Sequence, residues 1–391
     1  MSERLISHSA DLQRLRDEGY DIEVRSGYLL LKDVPYVGAD RKIRRGILAA
    51  ELTLSGDVAT APSTHVAYFA GDHPCDRDGN EIGQIKHGSS PRPVDEVLML
   101  NHSFSSKPPA GYPDYHEMMA AYVAIICSPA HSIDPTATAR TFPVVEPEDE
   151  DSPFAYIDTA SSRAGITAAS ARLRGRIAIV GLGGTGSYVL DLVAKTPVRE
   201  IHLFDGDVFS QHNAFRSPGA PSVAELKARP RKVDHFFQLY TRMHRHIVPH
   251  GVFVEASNVD ELSGMDFVFL CLDGGPAKRP IVEKLEALGT SFVDVGMGLG
   301  EEDGAVSGIL RVTTSTADRR DHVRARNRIP FTDGGPNEYA KNIQIADLNA
   351  LNAALAVIKW KKLCGFYLDQ ERELNSVYAV AGNVIINEDK E

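Results

Sequence analysis

The chain contains no stretch of about 18 consecutive apolar residues, so it offers no helix able to span a bilayer. It has four cysteines, Cys75, Cys127, Cys271 and Cys364, and no two of them stand in C-x-x-C spacing. A structural zinc of the paired-cysteine kind is therefore not expected, and neither is a disulfide framework. Positive charge is also in short supply. Forty-two Lys and Arg face 53 Asp and Glu, and the net charge of −11 argues against a nucleic-acid partner. The opening MSERLISHSADLQRLRDEG is polar with helical spacing and lacks the apolar core of a secretory signal, so a cytoplasmic location is the expectation. No internal repeat is visible. What remains is an ordinary globular composition, 43% apolar and 24% charged, over 391 residues, a length that suggests two domains.

Residues 1–140 read as an α+β domain. Residues 3–18 have helical spacing. Strand candidates follow at 22–24 with 28–31, at 47–54, at 65–70 and at 97–100, and then a helix at 115–126. Residues 141–154 form an acidic, proline-containing linker, because like charges and prolines disfavour compact structure. From 155 to 391 strands alternate with helices. Strands are expected at 177–180, 201–204, 252–255, 267–272 and 291–295, with helices over 188–194, over 226–246 with Pro230 disturbing its start, and over 281–288. This alternation predicts an α/β fold with a mostly parallel sheet covered by helices. Residues 315–341 read as a long loop, 342–367 as a long helix, and 377–381 and 384–386 as closing strands.

The second domain is organised around residues 176–216. An apolar run ends at Val180, and Gly181, Gly183 and Gly186 follow in G-x-G-x-x-G spacing, with Gly184 among them. A helical stretch and a second apolar run then lead to Asp205. Strand, glycine turn, helix, strand and acid in that order suit a nucleotide: the glycines let the backbone approach a phosphate, the helix start offers free N–H groups, and the acid can accept from ribose hydroxyls. A nicotinamide dinucleotide and ATP both fit this much. Asp273 ends a later apolar run, and two acids at strand ends beside a phosphate loop suggest one for ribose and one for Mg²⁺.

The ordered series Gly181-Leu-Gly-Gly-Thr-Gly186, Asp205-Gly-Asp207, Asn213, Arg216, Lys232 and Leu270-Cys-Leu-Asp273 resembles the ThiF/HesA/MoeB and ubiquitin-activating group of adenylyltransferases, over about 60% of the chain. The resemblance implies a Rossmann-like, mostly parallel sheet of the ubiquitin-activating type behind a smaller α+β domain. It implies ATP and Mg²⁺ as cofactors, a homodimer, and adenylation of the C-terminal carboxylate of a ubiquitin-like or sulfur-carrier protein. By that resemblance Asp205 holds the ribose, Asn213, Arg216 and Lys232 contact phosphates, Asp273 binds Mg²⁺, and Asp207 stands beside the nucleotide. Lys232 is preferred to Lys227 because Arg229-Pro-Arg-Lys-Val233 resembles the family's Pro-Lys-Val pattern. Arg163, in a segment similar to the family's upstream arginine, is the expected arginine finger, supplied by a partner subunit. The paired-cysteine zinc site of many relatives is missing, as is a cysteine in the long loop, so an acyl acceptor would be Cys75, Cys127, Cys364 or a separate protein. Competing readings are an NAD(P)-dependent oxidoreductase and a nucleotide-binding scaffold without catalysis. In the first domain His73-Pro74 before a glycine loop loosely resembles a ubiquitin-conjugating domain. That family carries its cysteine eight positions after an Asn, and the count from Cys75 falls on Gly83, so the cysteine is missing, Cys75 itself acts, or the likeness is chance and Cys75 is a small loop residue.

Overall fold

The computed structural model describes residues 2–147, 149–159, 166–272, 275–331 and 344–390. The chain divides into two compact units, residues 1–150 with 156–166, and residues 151–155 with 167–391. Among the described residues no helix is long and apolar enough to cross a membrane.

In the first unit, helices α1 (Ser2–His8) and α2 (Ala10–Asp17) precede strands β1 (Ile22–Arg25), β2 (Tyr28–Val37), β3 (Ile43–Glu51), β4 (Val66–Ala70), β5 (Lys86–Gly88) and β6 (His102–Ser105), and α3 (Tyr115–Ile133) follows. The strands form an antiparallel sheet in the order β1-β2-β3-β4-β6-β5. Alternation along β2 sends Leu29 and Leu31 into the core under α3, while Leu30 packs with Ala49 and Leu100 on the other face. The helix expected over 3–18 breaks at Ser9, which is buried and accepts a hydrogen bond from the Ala59 N–H on its hydroxyl at 2.8 Å. Asp114 caps α3 by accepting from the Glu117 N–H at 2.8 Å.

The second unit holds strands β7 (Arg176–Val180), β8 (Glu200–Phe204), β9 (Ile247–His250), β10 (Phe267–Leu270), β11 (Ser291–Glu302), β12 (Ala305–Ser315), β13 (Asn375–Ala379) and β14 (Val384–Glu388). They lie in the order β9-β8-β7-β10-β11-β12-β13-β14, parallel from β9 to β11 and antiparallel beyond. The main helices are α4 (Gly184–Val193), α5 (Lys232–Tyr240), α6 (Lys278–Leu288) and α7 (Ala346–Leu363). Ile177, Ile179, Phe267, Phe269 and Val293 pack towards α4, α5 and α7. Ala178, Val180, Val268, Leu270 and Phe292 pack on the other side with Ile281, Val282 and Leu285 of α6. This is the Rossmann-like α/β arrangement, a mostly parallel sheet between helical layers. Trp360 of α7 is buried in this core, its ring 6.4 Å from Phe267 and 6.0 Å from Phe269.

Three expectations shift. The helix over 226–246 becomes a short turn of helix at Val223–Ala228 and then α5, because Arg229 adopts a left-handed conformation (φ 48°) just before Pro230. The strand expected at 252–255 lies at 247–250. Strand β12, absent from the sequence reading, pairs with β11 from Phe292 to Glu302.

Candidate active site

The site lies at the carboxyl ends of β7 and β8. Gly181 leaves β7 with φ 91°, and a Cβ there would stand 2.7 Å from the Cys271 carbonyl oxygen. Gly186 lies so close to the Gly181 carbonyl that any side chain would strike backbone. Gly184 is pressed against the Asn349 amide of α7. Gly183, the N-cap of α4, differs: its missing side chain would meet nothing within 4 Å. Three of the glycines thus serve packing, and the fourth faces open space at the start of a ten-residue helix, where free N–H groups favour an anion.

Asp205 is 5% exposed at the end of β8 and binds the glycine turn directly. Its Oδ2 accepts from the Leu182 N–H at 2.7 Å and its Oδ1 from the Asp207 N–H at 2.8 Å. Lys232, the first residue of α5 and 6% exposed, places Nζ 3.3 Å from Asp205 Oδ2 and 2.7 Å from Asp207 Oδ2. The three side chains form one charge cluster, with Asp207 its exposed member. Lys227 is exposed on the short helix that precedes them.

Asn213 is buried and completes a capping box: its Oδ1 accepts from the Ser210 N–H at 2.8 Å. Arg216 follows one turn later, half-buried, with Nε shielded from solvent and without a hydrogen-bond partner among the described residues. A guanidinium N–H left in that state is costly unless something supplies an acceptor. Its backbone is fixed by Asn349, whose Nδ2 donates to the Arg216 carbonyl at 3.3 Å, while Asn349 Oδ1 accepts from Thr185 Oγ1 at 3.0 Å. One buried amide on α7 thereby ties the glycine helix to the arginine loop.

The structure brings Gly181, Gly183, Gly184, Gly186, Asp205, Asp207 and Lys232 together, with Asn213 and Arg216 joined to them through Asn349. Arg163 and Asp273 lie outside the described residues. Among the described residues no group of three or more His, Cys, Asp or Glu is arranged to hold a metal ion.

Sequence reasoning missed two features. Asn349 carries no motif, and only its polarity on a helix that buries it is a signal. The second is a buried ion cluster beside β10: Asp294, 0% exposed, lies 2.5 Å from Lys278 Nζ and 2.6 Å from Arg311 Nη2. Such a cluster is specific in geometry, and removing its one acid would strand two cations.

None of the thiols is activated. Cys75 is buried and its Sγ donates to the His73 carbonyl at 3.3 Å, and burial pushes its thiol upward. Burial raises Cys127 to about 12 and Cys364 to about 11, and raises Cys271 as well.

A model described as the ThiF family matches residues 162–348. Residues 162–348 are a ThiF family domain. Ahead of the ThiF domain, residues 10–159 match a domain of unknown function, DUF6791. No curated protein matches the chain. Among solved structures, PaaA is similar at 17% identity over 56% of this chain and 65% of that one, with a TM-score of 0.43. E. coli MccB with ATP is similar at 13% identity over 56% and 65%, with a TM-score of 0.44. The microcin C7 biosynthetic enzyme MccB in complex with N-formylated MccA is similar at 13% over 56% and 66%, with a TM-score of 0.45. The chain spans about two thirds of the length of each of these structures.

Proposed function

We propose that the ThiF domain uses ATP to adenylate the C-terminal carboxylate of a ubiquitin-like or sulfur-carrier protein. The observation that carries this reading is the buried, unpartnered Nε of Arg216 in the same framework as the open N-terminus of α4 at Gly183. A polyanion satisfies both. In the reaction a carboxylate oxygen attacks the α-phosphorus. The bond from that phosphorus to the oxygen bridging to the β-phosphate breaks, and pyrophosphate leaves with the electron pair. Asp205 receives a ribose hydroxyl beside the Leu182 and Asp207 N–H groups that already orient it. Lys232, held by two carboxylates, contributes positive charge near the phosphates without swinging freely. Arg216 takes charge on the triphosphate, which grows as the leaving group separates. Mg²⁺ on Asp273 would neutralise part of the pyrophosphate charge, and Arg163 would come from the second subunit of a cytoplasmic homodimer. The raised thiols favour transfer to a separate acceptor over a thioester on this chain.

The test is ATP–pyrophosphate exchange by the full chain with candidate carriers that end in Gly-Gly. Carrier-dependent exchange is expected, and Arg216→Gln should lower it about a hundredfold or more. Absence of exchange with every such carrier by the intact chain overturns the reading.

A further inference from the structure

Phe253 is a large apolar side chain that the core does not use: it is 57% exposed, three residues beyond β9. Its position is nevertheless built. Val254 beside it is 6% exposed and belongs to the core on the α6 side of the sheet. Asn258 braces the segment from within, its Nδ2 donating to the Phe253 carbonyl at 2.9 Å and its Oδ1 accepting from the Glu255 N–H at 2.7 Å. The ring itself rests on Gly206, where a Cβ would stand 2.7 Å from the ring carbons. Gly206 lies between Asp205 and Asp207, and the Asp205 N–H donates to the His250 carbonyl at 3.3 Å, so the ends of β8 and β9 are joined at this point. The neighbouring Gly251 carbonyl accepts from Arg231 Nη1 at 3.0 Å.

An aromatic ring thus lies against Gly206, next to the acid read as the ribose ligand, and more than half of it is open to water. We propose that Phe253 is the platform on which the base of the bound nucleotide stacks. The proposal rests on the nucleotide reading of the site and adds to it the group that holds the base. Apolar area left exposed by a braced loop is removed from solvent when a heterocycle covers it, and every base offers a π-face of the required kind. The platform therefore contributes affinity for the base and none for the phosphates. A side chain at position 206 would displace the ring from this place.

The experiment is calorimetric titration of the full chain with ATP and, separately, with inorganic tripolyphosphate, for the native protein, Phe253→Ala and Phe253→Tyr. Phe253→Ala should weaken ATP about tenfold or more and leave tripolyphosphate unchanged, and Phe253→Tyr should restore ATP binding. Thermal melts of the variants confirm that each is folded. Native-like ATP affinity in Phe253→Ala overturns the platform and leaves the nucleotide reading standing. An equal loss of ATP and tripolyphosphate in a folded Phe253→Ala also overturns it, since the ring would then act on phosphate binding. Failure of the native chain to bind ATP overturns the nucleotide reading, and the platform with it.

Discussion

His244 is a fully buried residue whose imidazole is kept neutral by its surroundings. Its Nε2–H donates to the Val198 carbonyl at 3.0 Å, its Nδ1 is buried without a partner among the described residues, and burial lowers its pKa from 6.5 to about 4. The unfolded chain therefore binds this proton near pH 6.5 and the folded chain only near pH 4. The stability from this residue is fully present above pH 6.5 and is lost as pH falls through that window, by up to about 3 kcal/mol. Denaturant melts at pH 7.5, 6, 5 and 4 should show the decline. His244→Gln keeps the N–H donor and removes the titration, so it should flatten the profile. An equally steep decline in the variant would assign the effect to other groups. The Lys278–Asp294–Arg311 cluster illustrates the complementary case, a charge that stays buried because two partners surround it.

The element that tests the nucleotide cradle is the turn from β7 into α4, because its glycines have separable roles. Gly186→Ala drives a methyl into the Gly181 carbonyl and should destabilise the second unit by about 1–3 kcal/mol. Gly183→Ala meets open space at φ −71°, so its cost should stay within about 1 kcal/mol while ATP affinity falls, because the methyl occupies the approach to the helix start. Paired thermal melts and ATP titrations check both, and a Gly183→Ala protein with native affinity would remove the anion from that end of α4. This turn was legible in the sequence because glycine spacing and the run into Asp205 are local. The break at Ser9 was not, since it depends on a hydrogen bond from Ala59, and near Pro230 the sequence showed a disturbed helix start but not the left-handed Arg229 that separates two helices. Strand β12 escaped because Gly296, Gly298, Gly300, Gly304 and Gly308 dilute the apolar alternation of the hairpin. Asn349 escaped for a related reason: a polar residue inside a helix announces its role only through what the fold places against it.

At the scale of the whole molecule, two units with separate cores predict more than one unfolding step. Phe69 is fully buried in the first unit, and Phe69→Ala should cost that unit about 3–5 kcal/mol. Calorimetry should show one transition lowered and the other unmoved; equal shifts in both would mean that the units unfold as one. The sequence reading divided the chain at 141–154, where acidic residues and prolines cluster, and the contacts instead assign 151–155 to the second unit and 156–166 to the first. That interleaving depends on backbone pairings such as Ile157 with Val145 and Ala155 with Met243, which composition does not encode. The chain has a single tryptophan, Trp360, and it lies in the second unit. Tryptophan emission, excited at the red edge where the tyrosines of the first unit do not absorb, consequently reports on one unit alone, so light and heat together can follow each unit without any added label.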